Sequence, residues 1–84
     1  MAMIRLDLRD LPAPEPMQRI LDEVQRLPRD QRIVALTPHR PGPLLEILDA
    51  WGYAWRVQDL PLGQACVSIC HTDMAERLIP PANA

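Results

Sequence analysis

Hydrophobic and polar residues alternate along three segments of the chain, which is the pattern of half-buried β-strands. The alternation covers residues 3–9, 53–58 and 65–71, and in the last of these segments β-branched residues separate small polar ones. Residues 33–36 instead form a short continuous apolar run, which is typical of a strand that is covered on both faces. The pattern therefore predicts four strands.

Two other segments place apolar residues at the spacing of a helix. The first helix is predicted from Met17, Ile20, Leu21, Val24 and Leu27. The second, shorter helix is predicted from Leu44, Leu45, Ile47, Leu48 and Trp51. Proline-rich segments at 11–16 and 37–43 precede the two helices and preset the backbone for a helix start. Pro28 and Gly52 are expected to end them.

The predicted elements follow the order β-α-β-α-β-β. Because strand–helix–strand units cross over with a right hand, both helices are expected on one face of a four-stranded mixed sheet. The fold class is therefore α+β, a two-layer sandwich. We expect this domain over residues 1–72 and a tail over residues 73–84, with a short helical turn from Asp73 and a frayed end. The pattern leaves the strand order open.

The composition is that of one small globular domain. The chain has 84 residues, of which 48% are hydrophobic and 24% are charged. Its formal net charge of -2 argues against a dedicated nucleic-acid binder, although all nine basic residues are arginine. No apolar run reaches the roughly 18–20 residues that span a bilayer, and the first residues lack the pattern of a signal peptide. We therefore expect a cytoplasmic protein that contacts no membrane.

Two cysteines, Cys66 and Cys70, lie four residues apart on the last predicted strand. On a strand they share a face at a separation of about 13 Å, whereas a disulfide requires Cα atoms within roughly 7 Å. They cannot pair with each other, and His71 lies on the opposite face, so the Cys-His string predicts no metal site. We expect two free thiols of a reduced protein, with a reactive thiol at the sheet edge as the alternative.

Both proline-rich loops connect the end of a strand to the start of a helix, so they are expected at the same edge of the sheet. Ligands of open α/β sheets commonly lie in such a crevice, and two helix N-termini would present backbone N–H groups there. The candidate ligand- or partner-binding residues at this edge are Arg9, Ala13, Glu15, His39 and Arg40. His39 and Arg40 suit an anion or a partner carboxylate. One histidine gives at most one metal ligand, so no metal site and no cofactor are predicted.

The segment Leu6-Asp-Leu-Arg-Asp-Leu-Pro-Ala-Pro-Glu-Pro-Met17 resembles the start of the TusA/SirA-like sulfur-carrier family. In that family a strand ending in Leu-Asp leads into a Cys-Pro-x-Pro signature that starts the first helix. The order of elements is also the same, so the resemblance covers most of residues 3–71. The family's cysteine carries a persulfide and passes its sulfur to a partner protein. Here Ala13 stands at the cysteine position beside the retained Pro14 and Pro16, and a methyl group has no thiol chemistry.

A closer likeness is to the domain-of-unknown-function family 2249, a bacterial branch of the same fold. Its members show Leu-Asp-x-Arg, a proline cluster before the first helix and His-x-Pro-x-Pro-Leu before the second. This chain has Leu6-Asp-Leu-Arg9 and His39-Arg-Pro-Gly-Pro-Leu44. Relatives in that family are often joined to hemerythrin-like or cupin domains, so the resemblance implies an accessory role in redox or nitrogen-oxide metabolism.

Three hypotheses for the function follow. The first is a non-catalytic binding or regulatory domain that holds a protein partner or a small anion at the proline-loop edge. The second is a sulfur carrier whose working thiol has moved to Cys66 or Cys70. The third is a metal- or haem-linked sensor in which His39 supplies one ligand. We favour the first, with no enzymatic activity, a protein partner and no nucleic acid. A homodimer through the Cys66–Cys70 face or the outer strands stays open as an alternative assembly.

Overall fold

A computed structural model describes residues 3–74 and confirms the predicted order of elements. The strands are β1 (Met3–Asp7), β2 (Arg32–Thr37), β3 (Tyr53–Asp59) and β4 (Ala65–His71). The helices are α1 (Glu15–Gln25) and α2 (Gly42–Ala50). Two short 3-10 turns, Pro61–Gly63 and Thr72–Met74, flank β4. The rest of the predicted helical turn and tail lies outside the described residues.

The four strands form one mixed sheet in the order β1-β2-β4-β3. The first two strands are parallel, and β4 lies antiparallel to both β2 and β3. The strands β1, β2 and β3 therefore all run in the same direction. Their carboxyl ends meet at one edge of the sheet, so both proline loops and the β3–β4 hairpin lie there.

The core lies between the two helices and one face of the sheet. From α1 the sheet is covered by Ile20 and Val24, and from α2 by Leu44 and Leu48, all fully buried. Alternate residues of the strands complete this core, with Ile33, Ala35, Val67 and Ile69 at its centre. Burial of each large aliphatic side chain stabilises the fold by roughly 1.5–3 kcal/mol. The two-layer α+β sandwich is confirmed.

The face of the sheet that lies away from the helices, called the open face below, corrects one prediction. Its residues are Met3, Arg5, Asp7, Arg32, Val34, Leu36, Ala54, Arg56, Gln58, Cys66, Ser68 and Cys70, as the registers of the strand pairs show. Val34 and Leu36 of β2 are only half-buried there. The prediction that residues 33–36 are covered on both faces is therefore wrong, because both helices pack on the same side.

The predicted boundaries need three smaller corrections. β1 ends at Asp7 rather than Arg9, although the Leu8 N–H still donates to the Leu36 carbonyl at 2.8 Å. Trp51, expected within the apolar stripe of α2, follows the helix and is 46% exposed. α1 ends at Gln25, three residues before Pro28. Gly52 adopts a φ of 81° after α2, the left-handed backbone expected of a helix terminator.

Neither helix among the described residues is long and apolar enough to cross a membrane.

Candidate functional site

The two proline loops lie side by side and are held by their own hydrogen bonds. In the first loop, the Leu11 N–H donates to the Leu8 carbonyl at 3.2 Å. In the second loop, the hydroxyl of Thr37 donates to the His39 carbonyl at 2.8 Å. Thr37 is 1% exposed and is the one buried polar side chain among the described residues. Its bond therefore anchors the second loop to the end of β2.

A groove of about 270 Å³ lies between the two loops. Five prolines form much of its wall, and they are Pro14, Pro16, Pro38, Pro41 and Pro43. Three larger apolar side chains, Met17, Ile20 and Leu44, also line it, and the remaining lining residues are Ala13, Thr37, His39 and Arg40. Proline rings are rigid and carry no N–H donor, so this surface is preformed and almost entirely apolar.

The start of α1 offers fewer backbone donors than a helix start usually does. A helix leaves its first four N–H groups without intrahelical acceptors. Here the Glu15 N–H donates to the Pro12 carbonyl at 3.0 Å, and the Gln18 N–H donates to the Pro14 carbonyl at 3.2 Å. Pro16, in the first turn, has no N–H to offer. At most one N–H of the four is left for a ligand.

The start of α2 repeats this arrangement. The Gly42 N–H donates to the Arg40 carbonyl at 3.0 Å, and the Leu45 N–H donates to the Pro41 carbonyl at 3.2 Å. Pro43 again removes a donor in the first turn. At most one free N–H is therefore left at each helix start, fewer than a helix start usually offers. The groove is an apolar surface with charged residues on its rim.

The structure brings three of the five predicted site residues together. Ala13, His39 and Arg40 line the groove. Glu15 is the exposed first residue of α1 and does not line it. Arg9 also lies outside the groove lining, and its side chain pairs with Asp7.

Arg9 forms a two-point ion pair with Asp7. Its Nε and Nη2 atoms donate to the two carboxylate oxygens of Asp7 at 2.8 and 2.7 Å. The hydrogen bonds from the Arg9 side chain and backbone lower the pKa of Asp7 from 3.8 to about 2, and the same pair raises the pKa of Arg9. Both groups are exposed, so solvent screens the pair and its effect on stability is small.

Arg40 is the cation on the groove rim. Its Nη1 lies 3.3 Å from Oδ1 of Asp59 at the end of β3. Both side chains are more than half exposed, at 55% and 75%. Such a surface pair is weak, so Arg40 is free to exchange Asp59 for an acidic group of a ligand. His39 beside it is also exposed.

The β3–β4 hairpin adds a feature at the same edge that the sequence did not predict. Leu62 in its tip is 93% exposed and has a φ of 65°, in the left-handed region that bulky residues avoid. The Leu60 N–H donates to the Gln64 carbonyl at 2.8 Å and closes the hairpin. The Pro-Leu-Gly sequence does predict a turn, but no periodicity reports the exposure of its central side chain.

Cys66 and Cys70 both lie on the open face, away from the groove, and both are free. Burial is the main cause that raises the pKa of the Cys70 thiol, with a further contribution from Asp73. A buried thiol with a raised pKa is a poor nucleophile. His71 lies on the opposite face, where its Nε2 is 2.8 Å from the Leu27 carbonyl. Because a carbonyl only accepts, this nitrogen carries the proton.

Among residues 3–74, no three side chains of His, Cys, Asp or Glu are grouped so that they could hold a metal ion. The metal-linked and sulfur-carrier hypotheses stay predictions.

The comparisons with known proteins give one match. The family model described as "Uncharacterized conserved protein (DUF2249)" matches residues 5–71, which include most of β1, the other three strands, both helices and both proline loops. No curated protein and no solved structure matches the chain significantly. The relationship to the sulfur carriers therefore stays a prediction. Because the match covers most of the 84 residues, the chain belongs to the DUF2249 family of uncharacterised conserved proteins.

Proposed function

We propose that this chain is a binding domain without an enzymatic activity of its own, and that it holds a protein partner in the groove between its proline loops. The observation that carries the proposal is the groove itself, a concave apolar surface that joins the starts of both helices. An apolar cleft with few polar groups is the usual form of a ligand site. Its rigid proline walls lower the entropy that binding must overcome.

The size of the groove favours one side chain over a cofactor. Its volume of about 270 Å³ is below the range of roughly 300–1,000 Å³ that is usual for drug-sized ligands. A single branched aliphatic side chain fits this space. We therefore propose that the partner inserts a leucine-like side chain between the loops.

The charge on the rim favours an acidic residue next to that side chain. Arg40 is exposed and is held only by a screened pair with Asp59. The guanidinium group recognises carboxylates with a planar pair of donors. A partner segment with a leucine followed by a glutamate would place the apolar side chain in the groove and its carboxylate near Arg40.

Ala13 supports binding rather than sulfur transfer. It lines the groove at the position where the sulfur-carrier resemblance has a cysteine. A methyl group adds apolar surface to the groove and supplies no nucleophile. On the resemblance stated above, we propose an accessory protein of the bacterial cytoplasm with a TusA-like fold and a link to redox or nitrogen-oxide metabolism.

A titration followed by ¹H–¹⁵N NMR spectra tests this proposal. The probe is the dipeptide acetyl-Leu-Glu-amide, and its charge-reversed control is acetyl-Leu-Lys-amide. We expect the acidic dipeptide to shift the amide signals of the non-proline residues within 13–20 and 37–44 and to bind more tightly than the basic one. The Arg40→Gln variant should remove the difference between the two dipeptides.

A matched pair of variants places the binding in the groove. Ala13→Phe fills the groove from its rim, whereas Ala50→Phe adds the same ring to an exposed position near the other end of α2. Binding should be lost in the first variant and kept in the second. Equal binding by both variants, or no shift with any dipeptide, would contradict the proposal.

A further inference from the structure

The open face of the sheet carries positive charge that the described part of the chain does not neutralise. Four ion pairs occur among residues 3–74, and their cations are Arg9, Arg26, Arg29 and Arg40. The three arginines of the open face, Arg5, Arg32 and Arg56, take part in none of them. The one acid on this face, Asp7, is already paired with Arg9.

The rest of the molecule has the opposite charge. The two helices together carry five acidic residues and a single arginine, and the whole chain has a net charge of -2. The positive charge is therefore concentrated on the open face and is not a general property of the surface. A local field of this kind attracts acidic partners and orients them on approach.

The middle of the open face is mostly apolar and partly exposed. Val34 and Leu36 of β2, together with Cys66 and Ser68 of β4, are half-buried and form a strip along the two central strands. A sheet face that only meets water usually carries polar residues along its centre. This strip resembles instead the covered face, on which α1 and α2 pack.

The register of the sheet places arginines on both sides of the strip. Arg5 of β1, Val34, Ser68 and Arg56 of β3 lie in one row across the four strands. Three strand spacings separate the two arginine Cα atoms, which is about 14 Å. An α-helix with its side chains is about 10–12 Å wide, so one helix fits on the strip between them.

We propose that the open face binds an amphipathic helix of a partner protein, whose apolar stripe lies on the strip and whose acidic flanks meet Arg5 and Arg56. Arg32, at the start of β2, lies at one end of the strip and meets an acidic residue at the end of that helix. This surface is separate from the proline-loop groove, and the proposal goes beyond the function proposed for that groove. It would make the chain an adaptor with two contact surfaces.

A second copy of the chain is a poorer occupant. A twofold arrangement of two open faces would bring arginines of one copy close to arginines of the other, and like charges repel. The acidic helix layer of a second copy has already buried its apolar stripes in its own core. It therefore offers the strip less apolar surface than a free amphipathic helix does.

Single-stranded nucleic acid is also disfavoured. Proteins that bind it on a sheet stack its bases on aromatic side chains. The open face carries no aromatic residue among the described positions, because Tyr53 and Trp55 face the core.

The test uses two synthetic amphipathic peptides of 18 residues, on the order of five helical turns. One carries a leucine stripe with glutamates on both flanks, and the other has lysines in place of the glutamates. Fluorescence anisotropy measures binding to the full chain at low and high salt. We expect the acidic peptide to bind and to become helical on binding, as circular dichroism would show. Its affinity should fall at high salt, because salt screens the charges.

Two triple variants with the same change in net charge locate the site. Arg5→Gln/Arg32→Gln/Arg56→Gln removes the cations of the open face, and Arg19→Gln/Arg26→Gln/Arg29→Gln removes three arginines elsewhere. The first should lower the affinity for the acidic peptide roughly tenfold, because each exposed charge pair contributes modestly and three are lost together. The second and the groove variant Ala13→Phe should change its affinity by less than about twofold.

The three arginines take part in no ion pair among the described residues, so the first triple variant should remain folded, and its thermal midpoint checks this. Equal affinity for both peptides, equal loss in both triple variants or no binding would overturn the proposal. Self-association that the first triple variant abolishes would name a second copy as the occupant and would also overturn it. Binding of oligouridine through the same arginines would do so as well.

Discussion

The Thr37 hydroxyl holds the second proline loop, so Thr37→Val is the substitution that most sharply tests how the groove is built. Valine has nearly the same shape but cannot donate to the His39 carbonyl, which the native hydroxyl meets at 2.8 Å. Loss of a buried hydrogen bond destabilises a protein by roughly 1–3 kcal/mol. His39 is an exposed residue, so we expect the lower end, about 1 kcal/mol.

A loss of about 1 kcal/mol is large enough to be seen in thermal unfolding. In a domain of this size 1 kcal/mol lowers the melting temperature by about 4–8 °C. Thr37→Ser is the control, because it keeps the hydroxyl and loses one methyl group, which costs about 0.8 kcal/mol. Stability alone does not separate the two variants, so loop order must be measured directly.

Amide hydrogen exchange at Gly42 reports on the loop. The Gly42 N–H donates to the Arg40 carbonyl within the same loop, at 3.0 Å. We expect its exchange to be about fivefold faster in Thr37→Val, the factor that corresponds to about 1 kcal/mol, and nearly unchanged in Thr37→Ser. The affinity for acetyl-Leu-Glu-amide should be lowered in Thr37→Val and nearly unchanged in Thr37→Ser. Equal exchange rates in the two variants would refute the role of the hydroxyl.

Three further predictions concern the surface and the thiols. Arg9 lowers the pKa of Asp7 from 3.8 to about 2. The pair therefore stabilises the fold above pH 3.8, and this stabilisation is lost as the pH falls toward 2. The free energy of unfolding in urea should depend less on pH between these values in Arg9→Gln than in the native chain. Leu62 has a left-handed backbone, which Asn tolerates better than Leu and Val tolerates worse, and its side chain is almost fully exposed. Leu62→Asn should therefore raise the melting temperature and Leu62→Val should lower it. Identical melting temperatures would contradict backbone strain at Leu62. A thiol reagent should modify the half-buried Cys66 rapidly and reach the buried Cys70 only on unfolding. The rapid modification should therefore persist in Cys70→Ser.

Much of the fold follows from local patterns in the sequence. The alternation in residues 53–58 and 65–71 and the helical stripe from Met17 each come from one face that is buried and one that is not. Strand order does not follow, because the position of β4 between β2 and β3 depends on long-range pairing that no local pattern reports. The same limit explains the error at residues 33–36. An apolar run shows that a strand is central, but not which of its faces a helix covers.

The candidate site was predicted in position but not in character. Two strand-to-helix loops at parallel strands must share an edge, and the groove is found there, with Ala13, His39 and Arg40 in its lining. Its apolar nature depends on which carbonyls accept the N–H groups at the helix starts, and these are bonds within the folded loops. The pairing of Arg9 with Asp7 likewise depends on side-chain geometry.

The central claim is that the proline-loop groove receives an apolar side chain of a partner, and intermolecular nuclear Overhauser effects test it most directly. In the complex with acetyl-Leu-Glu-amide, the leucine methyl groups should show contacts to the Met17 methyl group and to ring protons of Pro38 and Pro43, which line the groove. Contacts to Val34 and Leu36 on the open face instead, or none to the groove prolines, would contradict the account.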